Sequence, residues 1–365
     1  MQKQTSTETA QMTMLDISSD AIGVALAAGL GTRLRPLTLE NPKPLIPFCG
    51  IEILYLVVEN LKNSGLCDIG LNTHYMPEKV LDFVKNELPS SSNDLSKTFV
   101  SIEKNKILGT AGCYPAFNSF RNKRSIVTAN GDVLSSTNVK DLFEFHQKSE
   151  ATATMAVLKN PHPTGAQVWV IGSDIVHIGN DNGGFDGATP HGFACFQVLS
   201  DYALSMIEED QYQELVPIYK KLISENKKVC AYIHDAIWFD LGTHADYFNA
   251  HMFVLKLLDE SKDKTDPFGI IKTLRKKGLE VTFVSSSEKL ENPNGFEVAG
   301  PSLIIGDFNT FGPARIGPNS VVMEGAQFKN SPEVESAVVL PFTEINSNLH
   351  KSILYKEHLI SISDT

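Results

Sequence analysis

The chain has 365 residues and a formal net charge of −11, and 42% of its residues are apolar. This much apolar material can form a sizeable core, and at roughly 150 residues per domain the length predicts about two domains. The acidic balance excludes a general binder of nucleic acid or of anionic membranes, because both need a basic surface, but it permits an anionic small ligand held by local cations.

The N-terminal residues 1–20 are rich in Gln, Thr and Ser and lack the apolar segment of a signal peptide, so we expect a flexible tail. The sequence also has no apolar run long enough to span a membrane. The five cysteines are odd in number and form no CxxC pair. We therefore predict reduced thiols and a cytoplasmic location.

From residue 21 onward, strand-like and helix-like segments alternate with short connections. This alternation predicts an α/β domain with a doubly wound, mostly parallel sheet. In such sheets ligands bind at the carboxyl ends of the strands, which is where a glycine-rich loop follows Ala27 and where Asp132 follows Ala129. The predicted strands are 21–27, 67–73, 98–102, 125–129 and 153–158, and the predicted helices are 54–61, 77–88, 111–120 and 139–149.

The last third of the chain has a different pattern. Residues 259–297 contain a predicted helix at 268–278 and a predicted strand at 281–284, and we expect this segment to bridge two domains. In residues 298–340 every sixth position is apolar with one exception, which predicts a short left-handed parallel β-helix of hexapeptide repeats over residues 298–358; a plain β-rich tail is the alternative. The periodic positions are Val298, Ile304, Thr310, Ile316, Val322, Phe328, Val334 and Leu340.

The most informative segment is LAAGLGTRLRPLT at 26–38, followed by PKPLIP at 42–47. Two glycines directly after a buried strand allow backbone N–H groups to approach phosphates, and Arg33 and Lys43 can supply counter-charge. The loop is not the dinucleotide fingerprint GxGxxG, because Leu34 replaces the third glycine, and it is not a Walker loop.

This segment resembles the signature of the sugar-1-phosphate nucleotidyltransferases, which include mannose-1-phosphate guanylyltransferases and uridylyl- and thymidylyltransferases for muramate, heptose or glucose phosphates. The resemblance covers about residues 21–247, so we assign residues 21–258 to a Rossmann-like nucleotidyltransferase domain. Further matches, in the expected order, are NTHY at 72–75, LGTAG at 108–112, NGD at 130–132 and WFDLGT at 238–243.

The resemblance implies that an NTP and a sugar 1-phosphate react to give an NDP-sugar and pyrophosphate, with Mg²⁺ held by Asp132 and Asp240. It implies catalytic roles for Arg33, Lys43 and Asp132. Other residues carry binding roles: for the nucleotide Ala27, Ala28, Gly29, Gly31, Thr32, Gly109 and Gly112, and for the sugar Gly165, Gly192 and His74. His74 is equally consistent with a purely structural histidine.

One departure leaves the substrate open. Many relatives hold the sugar phosphate with the lysine of a Glu-Lys-Pro motif, but residues 170–189 contain neither Lys nor Arg. Mannose 1-phosphate with GTP is the leading pair, and muramate, heptose or glucose 1-phosphate with UTP or dTTP are alternatives. A non-catalytic regulatory subunit that binds a nucleotide sugar is the competing class, and an acyltransferase is a third. The β-helix also leads us to expect a dimer or a larger assembly.

Overall fold

The computed structural model describes residues 17–88, 97–161, 166–181, 183–261, 266 and 268–363. Its helices begin at recognisable signals: one starts with Pro77, and two others are capped by Asn138 and Thr243, whose side chains accept backbone N–H bonds. The helices are α1 Ile17–Asp20, α2 Ile53–Asn63, α3 Pro77–Glu87, α4 Gly109–Gly112, α5 Asn118–Arg121, α6 Val139–Lys148, α7 Asp201–Ser205, α8 Leu215–Ser224, α9 His244–Glu260 and α10 Ile270–Lys276.

Within the described residues, nine strands form the central sheet in the order β5-β4-β1-β6-β11-β8-β12-β10-β9. The strands up to residue 240 are β1 Ala21–Leu26, β2 Pro47–Phe48, β3 Ile51–Glu52, β4 Ile69–Thr73, β5 Thr98–Ile102, β6 Ser125–Asn130, β7 Val133–Ser135, β8 Ala153–Leu158, β9 Gln167–Ile171, β10 Asp174–Gly179, β11 Thr189–Leu199, β12 Val229–His234 and β13 Trp238–Asp240. The sheet is an α/β sheet, and its strands β1 and β6 are buried along nearly their whole length.

The prediction of a mostly parallel sheet holds for most of its strands, since β8 and β12 are also parallel to each other, but antiparallel strands are inserted among them. Strands β5, β4, β1 and β6 are mutually parallel, whereas β11 runs antiparallel to both β6 and β8. The reason lies in the connection: after β8 the chain forms the antiparallel β9–β10 pair and returns directly, with no helix among the described residues between β8 and β11. A parallel return needs a longer crossover, usually helical.

The predicted helix at 111–120 and the predicted tail also differ from the structure. Residues 109–121 form α4, a 3₁₀ turn at Tyr114–Phe117 and α5, because Pro115 lacks the N–H that a continuous helix needs. The predicted tail at 1–20 extends four residues too far, since Ile17–Asp20 form α1 and Ile17 is 5% exposed. Residues 1–16 lie outside the described part of the chain.

Most of the C-terminal strands make parallel pairs, at offsets of fifteen to eighteen residues. Phe296 pairs with Ala314 and Ser302 pairs with Ser320, each eighteen residues further along the chain. The strands are β14 Val281–Val284, β15 Lys289–Glu291, β16 Phe296–Ala299, β17 Ser302–Ile305, β18 Ala314–Ile316, β19 Ser320–Val322, β20 Gln327–Phe328, β21 Glu333–Val339, β22 Glu344–Ile345, β23 Leu349–Tyr355 and β24 His358–Ser361. Strand β14, in the predicted bridging segment, pairs antiparallel with β17.

The two parts of the molecule share one apolar core. Residues of α9 such as Val254 and Leu258 pack in the same cluster as Leu303, Val321 and Val338 of the C-terminal strands. The predicted bridge is therefore packed along with the C-terminal strands, through Ile270 and Leu274 of α10, both of which are fully buried. No helix in the described residues is long and apolar enough to cross a membrane.

Candidate active site

The phosphate loop follows β1 at the carboxyl end of the sheet. Gly31 adopts a φ of +62°, in the left-handed region that glycine tolerates best, and its carbonyl accepts a hydrogen bond of 2.9 Å from Thr38 Oγ1. Gly29 faces open space, since an added Cβ would meet no atom within 4 Å. The loop therefore presents an open backbone at Gly29 beside a turn that is held at Gly31.

Three of the predicted residues meet at one point. Lys43, at the start of a 3₁₀ turn, is 6% exposed, and its Nζ lies 2.6 Å from Asp132 Oδ2 and 3.4 Å from Asp240 Oδ1. The two aspartates are neighbours because β7 pairs antiparallel with β13, with Asp240 opposite Val133. The buried ammonium of Lys43 is therefore paired with two carboxylates that remain partly exposed to solvent.

Arg33 lies at the edge of this cluster and is available to a ligand. Its Nη2 is 4.0 Å from Asp240 Oδ2, and its side chain is 66% exposed. Gly242 makes this approach possible, since a Cβ there would lie 2.8 Å from the same guanidinium nitrogen. Thr243 then caps α9, which explains the local role of the end of the WFDLGT segment. Arg33 thus reaches the aspartates without being buried by them.

The predicted base-site glycines contact another part of the same chain. A Cβ on Gly109 would lie 2.4 Å from the carbonyl oxygen of Gln213, and one on Gly112 would lie 2.1 Å from that of Gln211. The N–H of Ala111 also donates to Gln213 O. The glycines at 109 and 112 are therefore needed for the packing of residues 211–213, and a role in base binding stays a prediction.

The predicted sugar residues are not brought together. Gly165 lies outside the described residues. Gly192 lies in β11, where its N–H donates to Asn160 O. His74 Nδ1 is 2.6 Å from the carbonyl oxygen of Glu103. Because a carbonyl can only accept, that nitrogen carries the proton, and this contact favours the structural interpretation of His74.

Two residues in the site escaped the sequence interpretation. Cys195 sits at an irregularity in β11 with a φ of +64°. Burial raises the pKa of its thiol well above the usual value, and the carboxylates of Asp132 and Asp240 raise it further. Its position in a strand of aromatic and small residues offered no signal. The second residue is Glu103, a buried carboxylate directly after β5 that is 4% exposed.

The site combines a glycine-rich loop, a buried lysine and two adjacent aspartates at the carboxyl edge of an α/β sheet. These features are typical of nucleotide-binding proteins that bind phosphate groups at this edge. Residues 22–171 match the family model described as nucleotidyl transferase. This stretch of the chain is therefore similar to the nucleotidyltransferases, and its motifs resemble those of the sugar-1-phosphate members.

The chain is also similar to proteins that are named as sugar-1-phosphate nucleotidyltransferases. "Mannose-1-phosphate guanyltransferase 2" of Candida glabrata is 30% identical over 62% of this chain and 62% of its own length, so the chain spans less than two thirds of that relative. "Glucose-1-phosphate adenylyltransferase" of Desulfitobacterium hafniense is 23% identical over 93% of this chain and 88% of its own. The solved structure of HddC from Yersinia pseudotuberculosis with GMP-PN matches with a TM-score of 0.51 at 22% identity, over 63% of this chain and 97% of that one, which supports the fold.

Proposed function

We propose that this chain transfers a nucleotidyl group from an NTP to a sugar 1-phosphate and releases pyrophosphate. The observation that carries the proposal is the cluster of Lys43, Asp132 and Asp240 beside the open glycine loop. The competing class, a non-catalytic sensor subunit, is disfavoured because Arg33 and all three residues of the cluster are present and meet.

The attacking group in this reaction is a phosphate oxygen that is already an anion. No general base is needed, so the protein has to align two anionic substrates and neutralise their charge. The exposed Arg33 guanidinium is suited to grip the outer phosphates of the NTP, and its planar fork can stabilise the departing pyrophosphate. The buried Lys43 ammonium is suited to the α-phosphate and the incoming sugar phosphate.

The donor set of the site fits Mg²⁺. The ion prefers hard oxygen ligands and takes one or two carboxylates from a protein, with phosphates and water completing its shell. Asp240 ends β13, and Asp132 directly precedes the paired strand β7, so two such carboxylates lie side by side; the described residues contain no third acidic, His or Cys ligand grouped with them. When bound, Mg²⁺ would neutralise phosphate charge. Within the chain, the ammonium of Lys43 partly neutralises the negative charge of the two aspartates.

The leading substrates are mannose 1-phosphate and GTP. The support is the name of the Candida relative, which is a mannose-1-phosphate guanyltransferase. A relative that matches over 93% of this chain is named as a glucose-1-phosphate adenylyltransferase, and it supports glucose 1-phosphate with ATP as a second pair. The lack of Lys and Arg in residues 170–189 keeps muramate and heptose phosphates among the alternatives.

We further propose that residues from about 281 onward form a left-handed parallel β-helix that acts as an assembly module. The eighteen-residue offset of the β16–β18 and β17–β19 pairs supports three six-residue sides per coil. The β14–β17 pair and the β23–β24 pair run antiparallel and lie at its two ends. A dimer mediated by this module is expected, and sedimentation of the full chain tests it, since a monomer at micromolar concentration would contradict it.

The enzymatic proposal is tested by pyrophosphate release. The chain is mixed with Mg²⁺, each of the common NTPs, and mannose, glucose, muramate or heptose 1-phosphate. We expect one pair to dominate, with D132N and D240N each reducing kcat by a hundredfold or more at an unchanged circular dichroism spectrum. As a control, D174N alters an aspartate in β10 outside the cluster and should retain full turnover. Release with no pair, together with nucleotide-sugar binding, would instead establish the sensor subunit.

A further inference from the structure

A buried polar pair connects the two segments that the family resemblance assigns to the nucleotide. Asn72 lies near the end of β4, and Glu103 follows the neighbouring strand β5. They are 3% and 4% exposed, so both side chains are removed from water. A carboxylate in such a position carries a large desolvation cost, which is normally offset by a charged partner. Among the described residues no basic side chain forms an ion pair with Glu103.

Three hydrogen bonds form a relay through this pair. The N–H of Ala27 donates to Asn72 Oδ1 at 2.8 Å, Asn72 Nδ2 donates to Glu103 Oε1 at 2.7 Å, and the N–H of Leu108 donates to Glu103 Oε2 at 2.7 Å. Ala27 opens the phosphate loop, and Leu108 immediately precedes Gly109. The relay therefore ties the backbone of one loop to the backbone of the other.

The polarity of the relay is fixed by its ends. Both terminal groups are backbone N–H donors. Each of the two side chains must therefore accept a hydrogen bond from its own loop, and one of them must also donate to the other. Asn72 does this by accepting once and donating once, while Glu103 accepts twice. The backbone of Glu103 is held as well, because its N–H donates to Thr73 O and its carbonyl oxygen accepts from His74.

We propose that Asn72 and Glu103 are positioning residues that set the separation of the phosphate loop from the 108–112 segment, and so govern the affinity for the nucleoside triphosphate. This inference rests on the proposed function. The two backbone N–H groups need buried acceptors in any case, and two separate acceptors would satisfy them. A single connected pair also fixes the spacing of the two loops, which is what loops that bind the same ligand require. The pair touches no substrate and acts through the two loops.

The test is a cycle of variants that reverses the polarity of the relay. In E103Q the new NH₂ group faces another donor, either the Asn72 NH₂ group or the Leu108 N–H, so one hydrogen bond is lost. In N72D two carboxylates face each other and repel. In the double variant N72D/E103Q, the amide now at position 103 can donate to the carboxylate now at position 72 and can accept from the Leu108 N–H. The carboxylate at position 72 can in turn accept from the Ala27 N–H. All three hydrogen bonds and the net charge are then restored.

In steady-state kinetics the variants should change KM for the NTP more than kcat or KM for the sugar phosphate. Each single variant should raise KM for the NTP by on the order of tenfold or more, with a smaller change in kcat and no change in KM for the sugar phosphate. The double variant should return KM for the NTP to within about threefold of the starting protein. As a matched control, Y219F removes a buried hydroxyl that donates to Gln197, outside both loops, and should lower only the melting temperature.

Two results would overturn the proposal. One is single variants that melt earlier but keep the original KM for the NTP, which would mark the pair as purely structural. The other is a folded double variant that stays as impaired as the single ones. If the starting protein turns over no substrate pair, the proposed function fails, and the same cycle is scored on calorimetric Kd values for GTP and ATP. A protein that binds neither nucleotide would refute the relay as well.

Discussion

Mild acidification should destabilise this fold through one buried imidazole. His251 of α9 is fully buried against Phe48, its Nδ1 lies 2.8 Å from Tyr247 O, and its Nε2 lies 3.1 Å from Cys49 N. A carbonyl can only accept and an N–H can only donate, so both contacts require the neutral ring with its proton on Nδ1. Burial accordingly lowers the pKa of His251 to about 3.

The sign follows from proton counting. Between about pH 6.5 and pH 3 the unfolded chain binds a proton at this histidine and the folded chain does not, so stability falls as the pH falls. With those two pKa values, lowering the pH from about 7.5 to about 5.5 should remove about 1.4 kcal/mol of unfolding free energy. His146, whose pKa burial lowers to about 4, should contribute a similar loss.

Urea unfolding followed by tryptophan fluorescence at the two pH values measures the effect. The variant H251Q keeps an acceptor for the Cys49 N–H but cannot take up a proton. The loss of stability on acidification should therefore be smaller in H251Q by about 1.4 kcal/mol. H350Q, which alters an exposed histidine, controls for removal of an imidazole. Equal losses in H251Q and in the unaltered chain would refute the argument.

Three further substitutions, and G29A as a control, test the site. G112A should lower the free energy of unfolding in urea by about 1–3 kcal/mol, because the added Cβ would lie 2.1 Å from Gln211 O. G29A, where an added Cβ meets open space, should lower it little. Equal losses in the two variants would contradict the packing argument. G31A should raise KM for the NTP several-fold in steady-state assays, since a side chain at φ +62° would also press on Lys43 at 2.9 Å; unchanged kinetics would count against a rigid loop. Without metal, K43M should lower the free energy of unfolding by about 1–2 kcal/mol, a figure kept small because both aspartates are partly exposed. Adding Mg²⁺ should restore this stability. If Mg²⁺ raises the melting temperature of K43M no more than that of the unaltered chain, the cation site is contradicted.

The sequence by itself determined the features that depend on local chemistry. The glycine loop after β1 was predicted from its own residues, and the NGD and WFDLGT segments from their resemblance to a known family, because each motif needs particular residue types within a few positions. The alternation of apolar segments likewise predicted an α/β domain, and the six-residue period predicted a strand-rich C-terminal region. In each case the signal and the structure that it specifies lie close together along the chain.

Only the tertiary structure decided which of these segments meet. Lys43 contacts aspartates 89 and 197 residues away, and the β7–β13 register that places them has no local sequence signal. The same holds for Glu103, whose burial depends on the packing of two neighbouring loops, and for the antiparallel direction of β11. Long-range pairing is selected by the free energy of the whole core, so no short window of sequence contains it.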